Sequence, residues 1–161
     1  MKGVAGLGIP AVANASAVLV TLAILVVKEG VMLGGLSAAH QAAALGLAAC
    51  ALPADVVLRE ADVNMALKHS LSASCSFLAV DHVELRRWLV DAGWLSRDGF
   101  GREYRRVAPE HLPEAVAPIA AALAGITPDV WVREVRQRAA AAREARRLAW
   151  EAGPSQGKGT A

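Results

Sequence analysis

Apolar positions change their spacing several times along this chain, and each change predicts an element. Residues 3–27 carry no charge, and the strongly apolar stretch 17–27 is eleven residues long. A bilayer-spanning helix needs about 20 apolar residues, so a buried element with some strand content is expected there. "SAAHQAAALGLAACAL" predicts an alanine-rich helix capped by Ser37 and stopped by Pro53. "DVVLR" predicts a short strand. "EADVNMALKHSL" predicts a helix with Val63, Leu67 and Leu71 at helical spacing, and "SASCSFLAV" a loop.

The pattern sharpens after residue 80. Asp81 is placed as a helix cap with Glu84 three residues on, the arrangement of a capping box. Leu85, Trp88, Leu89 and Ala92 fall within about 100° of arc and predict the buried stripe. Val83, Arg86, Arg87 and Val90 lie on the other side, and Gly93 is placed to end the helix. "WLSRDGFGREYRRV" then predicts a hairpin, with Asp98-Gly99 as the turn signal and Gly101 giving slack for a three- or four-residue loop. "PEHLPEAVAPIAAALAG" predicts a proline-punctuated apolar helix. "TPDVWVREVRQRAAAAREARRLAWEAG" predicts a long one, with Thr127 as cap, Pro128 at its first position and Gly153 past its end. On that last helix Trp131, Val135, Ala142 and Ala149 share one face, and Arg133, Arg136, Arg143 and Arg147 the opposite one.

The fold class expected is mainly α with a small β-hairpin. The element order is helix, strand, helix, helix, hairpin, the order of a winged-helix domain. The expected division is an apolar segment at 1–30, the winged-helix-like domain at 31–107, C-terminal helices at 108–152 and a disordered tail at 153–161.

Composition narrows the function more than it names one. Hydrophobic residues are 55% of the chain and aromatic ones only 4%, which excludes a disordered chain and favours close-packed helices. The net charge of +2 does not by itself imply a polyanionic partner. Its distribution is more telling: residues 81–107 hold six arginines against five acids, and residues 133–147 six against two. Cys50 and Cys75 fit no disulfide framework or metal spacing, so a reduced, cytoplasmic setting is expected. His40, His69, His82 and His111 are scattered, so no metal is expected. No P-loop, nucleophile elbow or dinucleotide fingerprint is present, Cys75 has no adjacent base, and we expect neither an enzyme nor a cofactor.

At residues 52–107 the chain resembles a bacterial family catalogued as domain of unknown function 2087, fused in places behind ArsR-type repressor domains. The residues that carry the resemblance are Glu60, Val63, Asn64 and Leu67, then Asp81, then Leu85, Arg86, Arg87, Leu89, Val90, Asp91, Gly93, Leu95 and Arg97, and finally Gly101 and Tyr104. It departs from the family pattern before the first helix, where "GGLSAAHQ" lacks a proline and basic residues, and in a longer loop before Asp81. The resemblance implies a winged-helix-like domain associated with transcriptional regulation.

Two readings of the arginines stay open. In the first, the protein is a DNA-binding regulator: Arg86 and Arg87 reach guanine edges or phosphates from the major groove, and Arg97, Arg102, Arg105 and Arg106 touch phosphates from the wing. The C-terminal helix then pairs two copies. In the second, the arginines pair with Asp81, Glu84, Asp91, Asp98 and Glu103, and the domain binds protein rather than nucleic acid. Glu60 and Asn64 are expected to be structural, and Tyr104 to pack on the helix beneath it. A membrane anchor over residues 9–27 is the third alternative, with membrane attachment otherwise not expected.

Overall fold

The computed structural model describes residues 11–154. Helices α1 (Ala11–Leu25), α2 (Ala38–Ala49), α3 (Glu60–Ser72), α4 (His82–Asp91), α5 (Ala117–Ala124) and α6 (Pro128–Ala152) surround one continuous core. Strands β1 (Leu58–Arg59), β2 (Leu95–Arg97) and β3 (Glu103–Arg106) form an antiparallel sheet in the order β1-β3-β2. The mainly α fold with a small hairpin is therefore present. The strand expected over "DVVLR" is shorter: Val56 and Val57 are exposed, and only Leu58 and Arg59 pair, with Tyr104 and Glu103.

The middle of the molecule is α2. Residues 43–49 are all buried, and this helix packs against α1, α4 and α5. A helix enclosed on several sides needs small side chains for its neighbours to approach, which is what its alanines supply. At Gly46 the approach is closest: an added Cβ would lie 2.6 Å from Ile119 Cγ2 and 3.1 Å from the Trp94 ring.

Helix ends fall where cap chemistry puts them. Ser37 Oγ accepts from His40 N at 3.3 Å, and Asp81 Oδ1 accepts from Glu84 N at 2.8 Å. α4 ends in a Schellman motif. Gly93 has φ +84°, its N–H donates to Val90 O at 3.1 Å, and Trp94 N donates to Leu89 O at 2.9 Å. Gly153 follows α6 with φ +65°. Thr127 precedes α6, but its side chain makes no cap bond.

Several expectations are corrected. The apolar run 17–27 is helical to Leu25 rather than partly strand; Leu22, Leu25 and Val26 enter the core while Val20, Ile24 and Val27 face out. The proline-punctuated stretch is not one helix: two single 3₁₀ turns, Pro109–His111 and Glu114–Val116, precede the short α5. The segment 73–80 is a loop, yet it fills the core with Cys75, Phe77 and Leu78. It also bonds Val31 in both directions, each bond 2.8 Å long. Among the described residues no single helix is long and apolar enough to cross a membrane. The expected tail lies outside the described residues from position 155 on, as does the start of the apolar segment.

Arg136 is also not where the helical wheel places it. It turns inward, donating to Val26 O at 2.9 Å, Ala73 O at 3.1 Å and Ser76 Oγ at 2.9 Å. Val26 and Ala73 follow the last turns of α1 and α3, where carbonyls lack helical partners and the helix dipole is negative. One guanidinium thus ties α6 to two helix ends. We expect Arg136→Met to destabilise the fold by about 2–3 kcal/mol, the scale of charge-assisted bonds whose acceptors are left behind. Arg136→Lys should recover only part of that loss, because an ammonium lacks the planar fork. Denaturant titration of the three proteins checks both.

Candidate nucleic-acid interface

The surface proposed from sequence is α4 with the hairpin beside it. The register of the hairpin sorts its side chains. Leu95 pairs with Arg106, Ser96 with Arg105 and Arg97 with Tyr104. Side chains alternate across a sheet, so Leu95, Arg97, Tyr104 and Arg106 share the face toward the helices, and Ser96, Glu103 and Arg105 the other. Arg97 and Arg105 therefore point to opposite sides of the hairpin.

Asp98 builds the turn between β2 and β3. Its Oδ1 accepts from Arg102 N at 2.8 Å and Glu103 N at 3.2 Å, while Gly101 takes φ +66°. Gly101, expected only to give slack, is thus the left-handed position, and Gly99, the expected turn residue, is not. The backbone N–H of Glu103, followed by those of Arg102, Gly101 and Phe100, holds the Asp98 carboxyl below its ordinary value. Phe100 is exposed at the tip with the Arg102 guanidinium 5.8 Å over its ring.

Of the six arginines expected to face a nucleic acid, two are engaged inside. Arg86 is 13% exposed. Its Nη1 donates to Asn64 Oδ1, lies 3.3 Å from Glu60 Oε1, and its guanidinium sits 5.8 Å over the buried Tyr104 ring. Glu60 and Asn64 are thus the structural partners expected, and Tyr104 packs inward as expected. Arg106 donates to Leu52 O at 3.1 Å. A helical wheel places Arg86 with the outward residues because it treats one helix alone; here α3 and β3 cover that flank, and Val83 and Val90 are half-buried too.

The other four, Arg87, Arg97, Arg102 and Arg105, are exposed, and none forms an ion pair among the described residues. On the outward side of α4, Arg87 stands with Glu84 and Asp91, both exposed. That helix presents one cation between two acids. The hairpin carries three exposed cations, Arg97, Arg102 and Arg105, interleaved with the carboxylates of Asp98 and Glu103. The expected C-terminal stripe is also divided. Arg136 is engaged in its clamp, Arg147 is bound to Glu144 and, at 2.6 Å, to Glu151, while Arg133 and Arg143 remain exposed.

No cluster of three His, Cys, Asp or Glu side chains among the described residues is placed to hold a metal ion. Burial pushes the Cys75 thiol up to about 11, leaving it a neutral core residue within the segment expected to be a loop. Burial also raises the Cys50 thiol, with Arg106 nearby opposing the shift.

Residues 37–106 match the family described as "Uncharacterized protein conserved in bacteria (DUF2087)". The match begins at Ser37, the cap of α2, so the family unit takes in that helix as well as the motif residues in α3, α4 and the hairpin. No curated protein and no solved structure matches the chain.

Two outcomes follow from the geometry. Arg86→Ala removes a half-buried cation and leaves Asn64 and Glu60 without their partner, so it should cost about 2–3 kcal/mol of stability, whereas Arg87→Ala should change it by no more than about 0.5 kcal/mol. Urea denaturation separates them. For Asp98 the folded-state pKa is depressed, so its contribution to the hairpin turn is full above the unfolded value of about 3.9 and is lost as pH falls through the folded value. Amide exchange at Arg102 and Glu103, whose N–H groups donate to the carboxylate, should therefore quicken on acidification beyond its intrinsic pH trend, and Asp98→Ala should show the quickened exchange at neutral pH.

Proposed function

We propose that residues 37–106 form a winged-helix module that binds duplex DNA in a transcriptional regulator, gripping phosphates chiefly through its wing. The observation that carries this reading is the arrangement of α4 beside a hairpin whose inner strand, β3, is joined by β1 from between the first two helices of the module. On that frame Arg87, Arg97 and Arg102 supply exposed cations along α4, the helix-facing edge of the hairpin and its tip. Phosphate contacts of this kind fix position and give salt-sensitive affinity, while base reading needs side chains aimed at groove edges. With Arg86 engaged and Glu84 and Asp91 flanking Arg87, α4 is poorly suited to read bases, so modest sequence discrimination is part of the proposal.

A second copy completes the regulator in this reading. From residue 141 to its end α6 is exposed on every side, with Leu148 at 52% and Trp150 at 87% exposure. Ala141, Ala145, Leu148 and Ala152 share one face of that half, a small-residue seam that suits close pairing of two helices. The alternative, a protein-binding module with no nucleic-acid role, draws its support from the acid–arginine–acid face of α4.

Fluorescence anisotropy with random duplex DNA tests the proposal. Binding should be measurable at low salt and fall steeply with added salt. Replacing Arg97 or Arg102 by Ala should make the slope of log affinity against log salt shallower by about 0.9 for each phosphate no longer neutralised. Absence of binding at low salt, or slopes unchanged by these substitutions, would leave the protein-binding reading in its place.

A further inference from the structure

A hollow of about 880 Å³ opens where the C-terminus of α1, the loop at Ser76 and the middle of α6 meet. Lys28, Arg136 and Arg143 line it with Glu29 as the single carboxylate, and Val27 and Ala140 supply apolar wall. Lys28 and Arg143 are exposed, and neither forms an ion pair among the described residues. Arg136 is held in place by its bonds to Val26 O, Ala73 O and Ser76 Oγ. A guanidinium carries more N–H groups than those bonds use, so Nη1 and Nη2 each keep one to donate. Ser76 Oγ accepts from Arg136, which leaves its own O–H to donate as well. The negative end of the α1 dipole also lies here, and Arg136 offsets it through Val26 O. Lys28 and Arg143 against Glu29 still leave the mouth positive.

The donors outnumber what a carboxylate can accept. A phosphate monoester carries about two negative charges and three acceptor oxygens, and a hollow of this size takes a small molecule rather than a bare ion. Duplex DNA presents single charges in a row along each strand, whereas these donors converge on one hollow from three parts of the chain. We propose that this hollow binds a small phosphate monoester with an apolar body. Its phosphate is held by Lys28, Arg143, Ser76 and the spare donors of Arg136, and its body lies against Val27 and Ala140. None of these residues belongs to α4 or the hairpin, so the site stands whether or not the protein binds DNA.

Thermal unfolding of the full chain, without nucleic acid, tests the proposal with millimolar phenyl phosphate and with benzoate, ionic strength being matched throughout with sodium chloride. A ligand of the folded state raises Tm. Phenyl phosphate should raise it by a few degrees, and benzoate and chloride should not. Arg143→Ala should weaken phenyl phosphate about tenfold, the scale of one charge-assisted hydrogen bond, and Lys28→Ala several-fold. Both residues are exposed, so these variants keep the Arg136 clamp and the fold. Arg146→Ala removes the same charge from α6 at a position that does not line the hollow, and it should leave binding unchanged. No shift with phenyl phosphate, an equal shift with benzoate, or an equal loss in Arg143→Ala and Arg146→Ala would overturn the proposal.

Discussion

A guanidinium withdrawn from water must be met by acceptors, and Arg86 is met from two elements at once. Asn64 and Glu60 reach it from α3, and the face of Tyr104 lies beneath it from β3. The charge therefore fixes the distance and rotation of α4 relative to both. It does so at the point where α4, the preceding helix and the hairpin converge, and where Leu85, Leu89, Leu95 and Val63 close the core around it. A methylene chain ending in a hydrophobic group would fill similar space, but it would not hold the planar arrangement of carboxylate, amide and ring. The position of the hairpin beside α4 depends on this contact. So does the charge of the exposed surface, since a cation committed to internal geometry is not offered to a partner.

Arg136 repeats the device at the other end of the molecule with backbone in place of side chains. The carbonyls it gathers belong to two helix C-termini, where unmet acceptors and negative dipole ends coincide. Through it the family segment 37–106 is joined to α1 and α6, which lie outside that segment. On the expected surface the same use of arginine withdraws two of six cations, Arg86 and Arg106, and leaves four exposed.

The local part of the fold was legible in sequence. Ser37, Asp81 and Gly93 act through bonds within four or five residues, and each ends or begins a helix where its chemistry requires. The family pattern likewise pointed to Glu60, Asn64, Arg86 and Tyr104 without saying that they meet. What could not be read was anything that needs a distant partner. Arg86 bonds across 22 residues and Arg136 across 110 to Val26; a helical wheel assigns both to solvent because it carries no information about what covers a helix. Carbonyl acceptors are invisible in a pattern of side chains. The burial of Cys75 in an apparently polar loop was missed for the same reason: Phe77 and Leu78 on its far side, not its neighbours Ser74 and Ser76, decide where the loop lies. Of the six arginines expected to face outward, Arg86 and Arg106 are engaged internally and the other four are exposed.

These contacts give α3 a particular place in the molecule. It is a helix of 13 residues with Glu60 and Asn64 on one side and Met65, Ala66 and His69 on the other. The first side holds Arg86 and with it α4; the second walls a cavity beside the first turn of α6. A helix of this length moves as a rigid body more readily than it bends, because bending breaks its ladder of hydrogen bonds. The contact with Arg86 on one side and the contact of His69 with Asp129 on the other are thus carried by one stiff element.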